Sequence, residues 1–182
     1  MVTADLVVYY LRDVQPPAAP PRDWLLAGDE GGAWVIHWSD RLPAQPADWS
    51  AVAESPGYAA WLLRRAQDAR AAEVDARTSG LQAAGFEFPP GSGQRFDLTP
   101  ATQATWVSLM VGASAGLLEY PVNAGVIGDG TYQLQDASAV AVFCAAALAR
   151  GRAIIEGAAA VKRLVYAAAT VEAVAAVQDT RE

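Results

Sequence analysis

Ala84-Gly85-Phe86-Glu87-Phe88 opens the stretch that decides the fold of this chain. It breaks at Pro89-Pro90-Gly91-Ser92-Gly93, resumes at Arg95-Phe96-Asp97-Leu98 and enters a helix at Thr99-Pro100. The same grammar recurs downstream. Asn123-Ala124-Gly125-Val126-Ile127 leads through Gly128-Asp129-Gly130 to Thr131-Tyr132-Gln133-Leu134, and a helix follows from Asp136. Short aromatic or β-branched runs bounded by glycine and proline read as hairpins. An oxygen-bearing side chain at each helix entry reads as a cap. Two hairpins, each followed by a helix, make residues 85–182 an α+β domain.

The first helix is expected to run to about Leu118 and to be ended by Pro121. Trp106, Leu109, Met110, Ala113 and Leu117 fall at helical spacing along it. The second runs from Asp136 through Ala168, with Val140, Phe143, Cys144, Ala147 and Leu148 among its apolar positions. Thr170-Val171-Glu172 starts a last short helix. The expected core is Trp106, Leu109, Met110, Phe143 and Leu148.

Upstream, Ser55 caps a helix with Pro56 at its first position. That helix continues to about Ala83 and stops at Gly85, so it is about 42 Å long at the α-helical rise. Tyr58, Trp61 and Leu62 crowd its first turns; beyond Leu63 the only larger aliphatics are Val74 and Leu81. So thin a stripe suggests a connecting rod. Ala69, Ala72, Ala76 and Ala83 keep roughly heptad spacing, which fits a bundle of identical rods. A solvated linker helix fits equally.

The N-terminal part reads as a small three-stranded antiparallel β module. Its strands are 5–11, 23–27 and 33–38, and Gly28-Asp29-Glu30-Gly31-Gly32 forms the hairpin loop. Strand alternation would place Trp34, Ile36 and Trp38 on one face. Gln15 to Pro21 reads as a proline-rich linker, and Arg41 to Trp49 as a loop. The expected organisation is a Trp-rich β module (1–50), a linker and rod helix (51–84) and a C-terminal α+β domain (85–182).

Composition narrows the function classes. A net charge of −7 without a basic cluster argues against nucleic acid. The chain is 53% hydrophobic, much of it alanine, and only 18% charged. Such weakly charged surfaces are expected to associate, as a homo-oligomer or within a larger assembly. The start of the chain lacks the pattern of a signal peptide. No run of about 18 purely apolar residues appears, so no membrane span is expected. Cys144 is the only cysteine, which precludes an intrachain disulfide.

Residues that could carry chemistry do not assemble into a pattern. His37 is the only histidine and nothing in the sequence designates a partner for it. Asp129 reads as a turn residue, and the acids show no ligand spacing. Gly112-Ala113-Ser114-Ala115-Gly116 lacks the Lys-Ser/Thr ending of a phosphate loop. No catalytic residue, cofactor or metal is expected, and the chain reads as something other than an enzyme. Trp24, Trp34, Trp38 and Trp49 could form a carbohydrate or peptide platform, or simply the core of a tiny module. The candidate interaction residues are Trp24, Trp34, Trp38 and Trp61.

Residues 84–177 resemble a C-terminal domain of unknown function found in many tailed-phage tail-fibre-region proteins. The matching residues are Gly85-Phe86-Glu87-Phe88, Arg95-Phe96-Asp97-Leu98-Thr99, Asp129-Gly130 with Leu134, and the run Leu164 to Val174. The chain departs from that pattern at Val126-Ile127-Gly128, where the family has a tryptophan. The resemblance implies a structural component of a phage tail, a fibre or baseplate attachment protein working by protein–protein contact. Its partners would be other tail proteins and its place the virion tail, after assembly in the host cytoplasm. A tail-fibre assembly chaperone and a glycan-binding module are the alternatives.

Overall fold

Main-chain geometry in the computed structural model is described for residues 2–14, 24–29, 32–38 and 45–182. The fold is α+β, with helices α1 (Ala4–Tyr9), α2 (Trp49–Ala53), α3 (Pro56–Ala84), α4 (Pro100–Ser114), α5 (Ala137–Ala167) and α6 (Val171–Ala176). Strands are β1 (Trp24–Asp29), β2 (Gly32–Trp38), β3 (Phe86–Glu87), β4 (Arg95–Phe96), β5 (Val122–Gly125) and β6 (Thr131–Leu134). They pair as three separate antiparallel hairpins, β1–β2, β3–β4 and β5–β6. The chain divides into two compact units, Met1–Ala66 and Gln67–Glu182, with the division inside α3.

In the first unit, the expected strand at 5–11 is a helix. Thr3 caps α1 by accepting from the Leu6 amide at 3.2 Å, and a wider helical turn, Tyr10–Val14, continues it. Leu6, Val7, Tyr10 and Leu11 are the buried residues besides Tyr9. That spacing belongs to one face of a helix; a strand would alternate. The high β propensity of Val7, Val8, Tyr9 and Tyr10 is overridden by tertiary burial. Among the described residues the module therefore has two strands, not three. Pairing runs from Trp24↔Trp38 to Asp29↔Gly32, with a register shift between Leu25↔His37 and Leu26↔Val35. Ile36 is skipped in this main-chain register; the face expected to be shared by Trp34, Ile36 and Trp38 concerns side chains outside the described residues. The linker expected at 15–21, and residues 41–44 of the expected loop, lie outside the described residues. At the far end of that loop Asp48 caps the short α2, accepting from the Ser50 amide at 2.8 Å.

The long helix starts and stops as expected. The Ser55 hydroxyl accepts from the Tyr58 amide at 3.1 Å, and Gly85 ends the helix at φ +70°. Its second half is not a free rod. Ala71 and Val74 are buried within the second unit, while Ala69, Ala72, Ala76 and Ala83 are exposed. Apolar area alone underestimates this attachment because polar side chains supply much of it. Gln67 donates to the Ala168 carbonyl at 3.1 Å, Arg70 to the Val177 carbonyl at 2.7 Å, and Lys162 pairs with Asp75 at 2.6 Å.

The core of the second unit lies between the two hairpins and α4–α5. Phe86, Phe96, Leu98, Trp106, Ala124, Leu134, Val140, Phe143, Cys144, Ala147 and Ile154 form it. Phe143 is the hub: its ring lies 4.9 Å from Phe96, 4.9 Å from Trp106, 5.2 Å from Phe88 and 5.4 Å from Phe86. Leu109 and Met110 pack against this cluster, partly buried. Leu148, expected inside, is 40% exposed. The buried stripe of α5 runs Val140, Phe143, Cys144, Ala147, Gly151, Ile154, Ala158, Val161 and Val165, and Leu148 falls beside it. α4 stops at Ser114, well before Pro121, and Leu117 is 78% exposed rather than on its apolar stripe.

Candidate interaction surfaces

The four tryptophans singled out in the sequence divide. Trp24 lies in β1 and Trp34 and Trp38 in β2, with Trp24 opposite Trp38 in register. His37 is also in β2. The side chains of these strands lie outside the described residues, so only their main-chain pairing bears on the expected platform. Trp61 is on α3, in the first unit.

Trp61 sits in an aromatic cluster. Its ring stacks on Tyr58 at 6.0 Å and meets Tyr9 at 6.0 Å, while Tyr9 and Tyr58 are 5.4 Å apart. The Arg65 guanidinium stands 5.3 Å from the Trp61 ring centre and pairs with Asp5. Gly57 makes room for this packing: a Cβ there would lie 2.2 Å from the Tyr9 hydroxyl oxygen. Beside the cluster is an open cavity of about 230 Å³ lined by Tyr9, Gly57, Ala60, Trp61 and Arg64. Two rings and a cation at one cavity suit a flat, partly apolar ligand that carries an acceptor or negative group.

No family model, curated protein or solved structure matches this chain.

The second unit also exposes large aliphatic side chains. The Gln103 side chain lies 3.7 Å from where a Cβ on Gly151 would stand, and the Trp106 ring meets Phe143. Ascending α4 thus means descending α5, so the two helices pack antiparallel. On α4 the positions next round from this contact line are Val107 and Val111, which are 43% and 58% exposed. On α5 they are Leu148 and Ile155, 40% and 51% exposed. In an antiparallel pair of right-handed helices these positions fall on the same side. Four large aliphatics and Ala145 therefore lie on one side of the α4–α5 pair as an exposed strip, which the charged Arg152 interrupts between Leu148 and Ile155. Sequence reasoning missed it because the helical spacing of Leu148 and Ile155 is close enough to the core stripe to be read as part of it.

α5 has a second property. It is 31 residues long, and an 18-residue stretch of it reaches a mean hydropathy of 1.6, which is long and apolar enough to cross a membrane by composition. It contains no purely apolar run of that length, because Arg150, Arg152, Glu156, Lys162 and Arg163 interrupt it. A third of that stretch is buried within the protein, and α5 supplies nine buried residues in all.

The remaining polar groups have structural surroundings. Cys144 is buried, its thiol donating to the Trp106 carbonyl at 3.4 Å, and burial pushes its pKa up, away from the thiolate. Asp97 accepts from the Thr99 amide at 2.6 Å, the Thr102 hydroxyl at 2.8 Å and the Thr99 hydroxyl at 2.9 Å. Burial raises its pKa, but these hydrogen bonds together outweigh burial and hold the carboxyl below its ordinary value. Asp129 is exposed in the β5–β6 turn. Among the described residues no three His, Cys, Asp or Glu side chains gather as a metal site.

Proposed function

We propose that this chain is a structural component of a tailed-phage tail, acting by protein–protein contact. The observation that carries the interaction part is the exposed strip of Val107, Val111, Leu148 and Ile155 along the α4–α5 groove. Solvent-facing aliphatics in a row usually mark a surface that another protein covers. The tail assignment is supported by the resemblance at Gly85-Phe86-Glu87-Phe88, at Arg95-Phe96-Asp97-Leu98-Thr99 and along Leu164–Val174. The hairpin–cap–helix order of the second unit agrees with it.

Mass spectrometry of purified particles tests the assignment. A virion component is found there in fixed ratio to the other tail proteins. A chain that fibre assembly needs but mature particles lack is an assembly chaperone. Val111→Asp with Ile155→Asp should abolish incorporation while leaving the isolated fold intact, since substitutions at exposed positions alter stability by only about 0.5 kcal/mol. Unchanged incorporation of that double variant would refute the role of the strip.

The cavity beside Trp61 favours a second reading, a glycan-binding module. A glycan array on the full chain should then show binding that Trp61→Ala abolishes; an empty array removes this reading.

A further inference from the structure

Segment Val177–Glu182 follows α6 as non-helical chain and runs between α3 and α5. Its exposure alternates. Val177, Asp179 and Arg181 turn inward; Gln178, Thr180 and Glu182 face out. This is how an extended peptide lies in a groove.

Arg181 is the anchor. Its guanidinium is gripped by Asp179 through both carboxylate oxygens, donates from Nη1 to Thr78 Oγ1 at 2.8 Å and to the Ile154 carbonyl at 3.2 Å, and from Nη2 to the Val74 carbonyl at 3.1 Å. All five of its N–H donors are therefore used. The two side chains are nearly enclosed, Arg181 at 11% and Asp179 at 7% exposure. The slot is shaped for this side chain: a Cβ on Gly157 would stand 2.8 Å from Arg181 Cδ. Three arginines hold the segment's main chain, Arg70 at the Val177 carbonyl, Arg77 at the Arg181 carbonyl and Arg150 at the main-chain oxygen of Glu182.

Main-chain oxygens read by arginines, with one deep pocket for an arginine side chain, make a peptide receptor. Here its own chain fills it. The geometry points to a slot between α3 and α5 that receives an extended Asp-x-Arg segment, and to a second copy of this chain as the partner that supplies it. The occupant is fixed by what the slot already holds: any other copy carries the same Val177–Glu182 segment, so exchange swaps identical contacts. This inference stands independently of the tail assignment.

The full chain carrying Arg181→Ala keeps the slot but loses its own anchor. A fluorescent peptide of residues 176–182 should bind it at least about tenfold more tightly than it binds the wild-type chain, whose slot is occupied. Lysine in place of arginine in the peptide should cost at least about tenfold, because an ammonium has three donors for five acceptor positions. If Arg181→Ala does not fold, Arg181→Lys serves as the receiver. Equal or absent binding by a folded receiver overturns the receptor.

Mixing tests the partner. Gly157→Val blocks the slot but leaves the segment intact, and Arg181→Ala does the reverse. Mixed, they should form a one-to-one dimer by light scattering and regain hydrogen-exchange protection around Val74–Thr78 in the Arg181→Ala chain. A mixture that stays monomeric and unprotected, with the peptide still binding, overturns the assignment to a second copy.

Discussion

The two hairpin–helix halves of the second unit follow one grammar and reach stability differently. The first hairpin pairs only two residues per strand, Phe86↔Phe96 and Glu87↔Arg95; the second pairs four. The first compensates with rings, sending Phe86, Phe88 and Phe96 toward Phe143. The second contributes Ala124 and Leu134 to the same core. Trp106 is the buried residue of α4, whereas α5 has nine. Thus the shorter half depends on a few individual contacts, and the longer half on many ordinary ones. The halves are stitched at the hairpins by the Ile127 amide donating to the Arg95 carbonyl at 2.8 Å.

The largest effect should come where the halves share a residue. Phe143→Ala and Trp106→Ala should each cost about 3–5 kcal/mol, measured by denaturant titration. A loss below about 1 kcal/mol at Phe143 would mean the ring cluster is not the joint between the halves.

Glycine substitutions sharpen the contrast. Gly85→Ala in the first half places a Cβ 1.9 Å from the Phe96 carbonyl oxygen at φ +70°. Both strain and collision apply, so about 2 kcal/mol or more should be lost. Gly130→Ala in the second half meets nothing within 4 Å and suffers only its φ of +132°, for about 1 kcal/mol. Equal losses in thermal unfolding would show that the first hairpin is no more tightly constrained than the second.

The caps give the smallest difference and the one with a pH signature. Asp97→Asn and Asp136→Ala should each cost about 1 kcal/mol. The folded pKa of Asp97 is lowered, so its contribution is fully present above the unfolded value of about 3.9 and disappears as pH falls through the lower folded value. Asp97→Asn should flatten that part of the stability–pH curve. A variant with the wild-type acid slope would show that the threonine bonds to Asp97 do not discriminate its charged form.

Local signals made much of this fold legible. Ser55, Asp136 and Thr170 cap the helices they were expected to cap, and Gly85 ends α3. Where a local signal competed with burial, burial won: residues 5–11 have strand propensity but form α1, because Leu6, Val7, Tyr10 and Leu11 need one side. Thr99 was the expected cap of α4, yet it makes no side-chain cap bond; Asp97 receives its amide instead. The attachment of α3 was hidden because it depends on side chains distant in sequence, such as Arg70 with Val177 and Thr78 with Arg181. The sequence crowds Trp61 with Tyr58 in the first turns of α3, and their rings do meet there. The α4–α5 strip needed the direction of helix packing, which no single helix encodes.

The central place of Phe143 also sets an order of events during synthesis. Phe86, Phe96 and Trp106 leave the ribosome first, and Phe143 follows Trp106 by 37 positions. At about 5–20 residues per second that gap lasts roughly 2–7 s. Throughout it the nascent chain carries a ring-lined hairpin and an α4 whose Trp106 has no Phe143 to meet. Emergence of the first turns of α5 is therefore the moment at which translation can release a chain with its adhesive aromatic face closed.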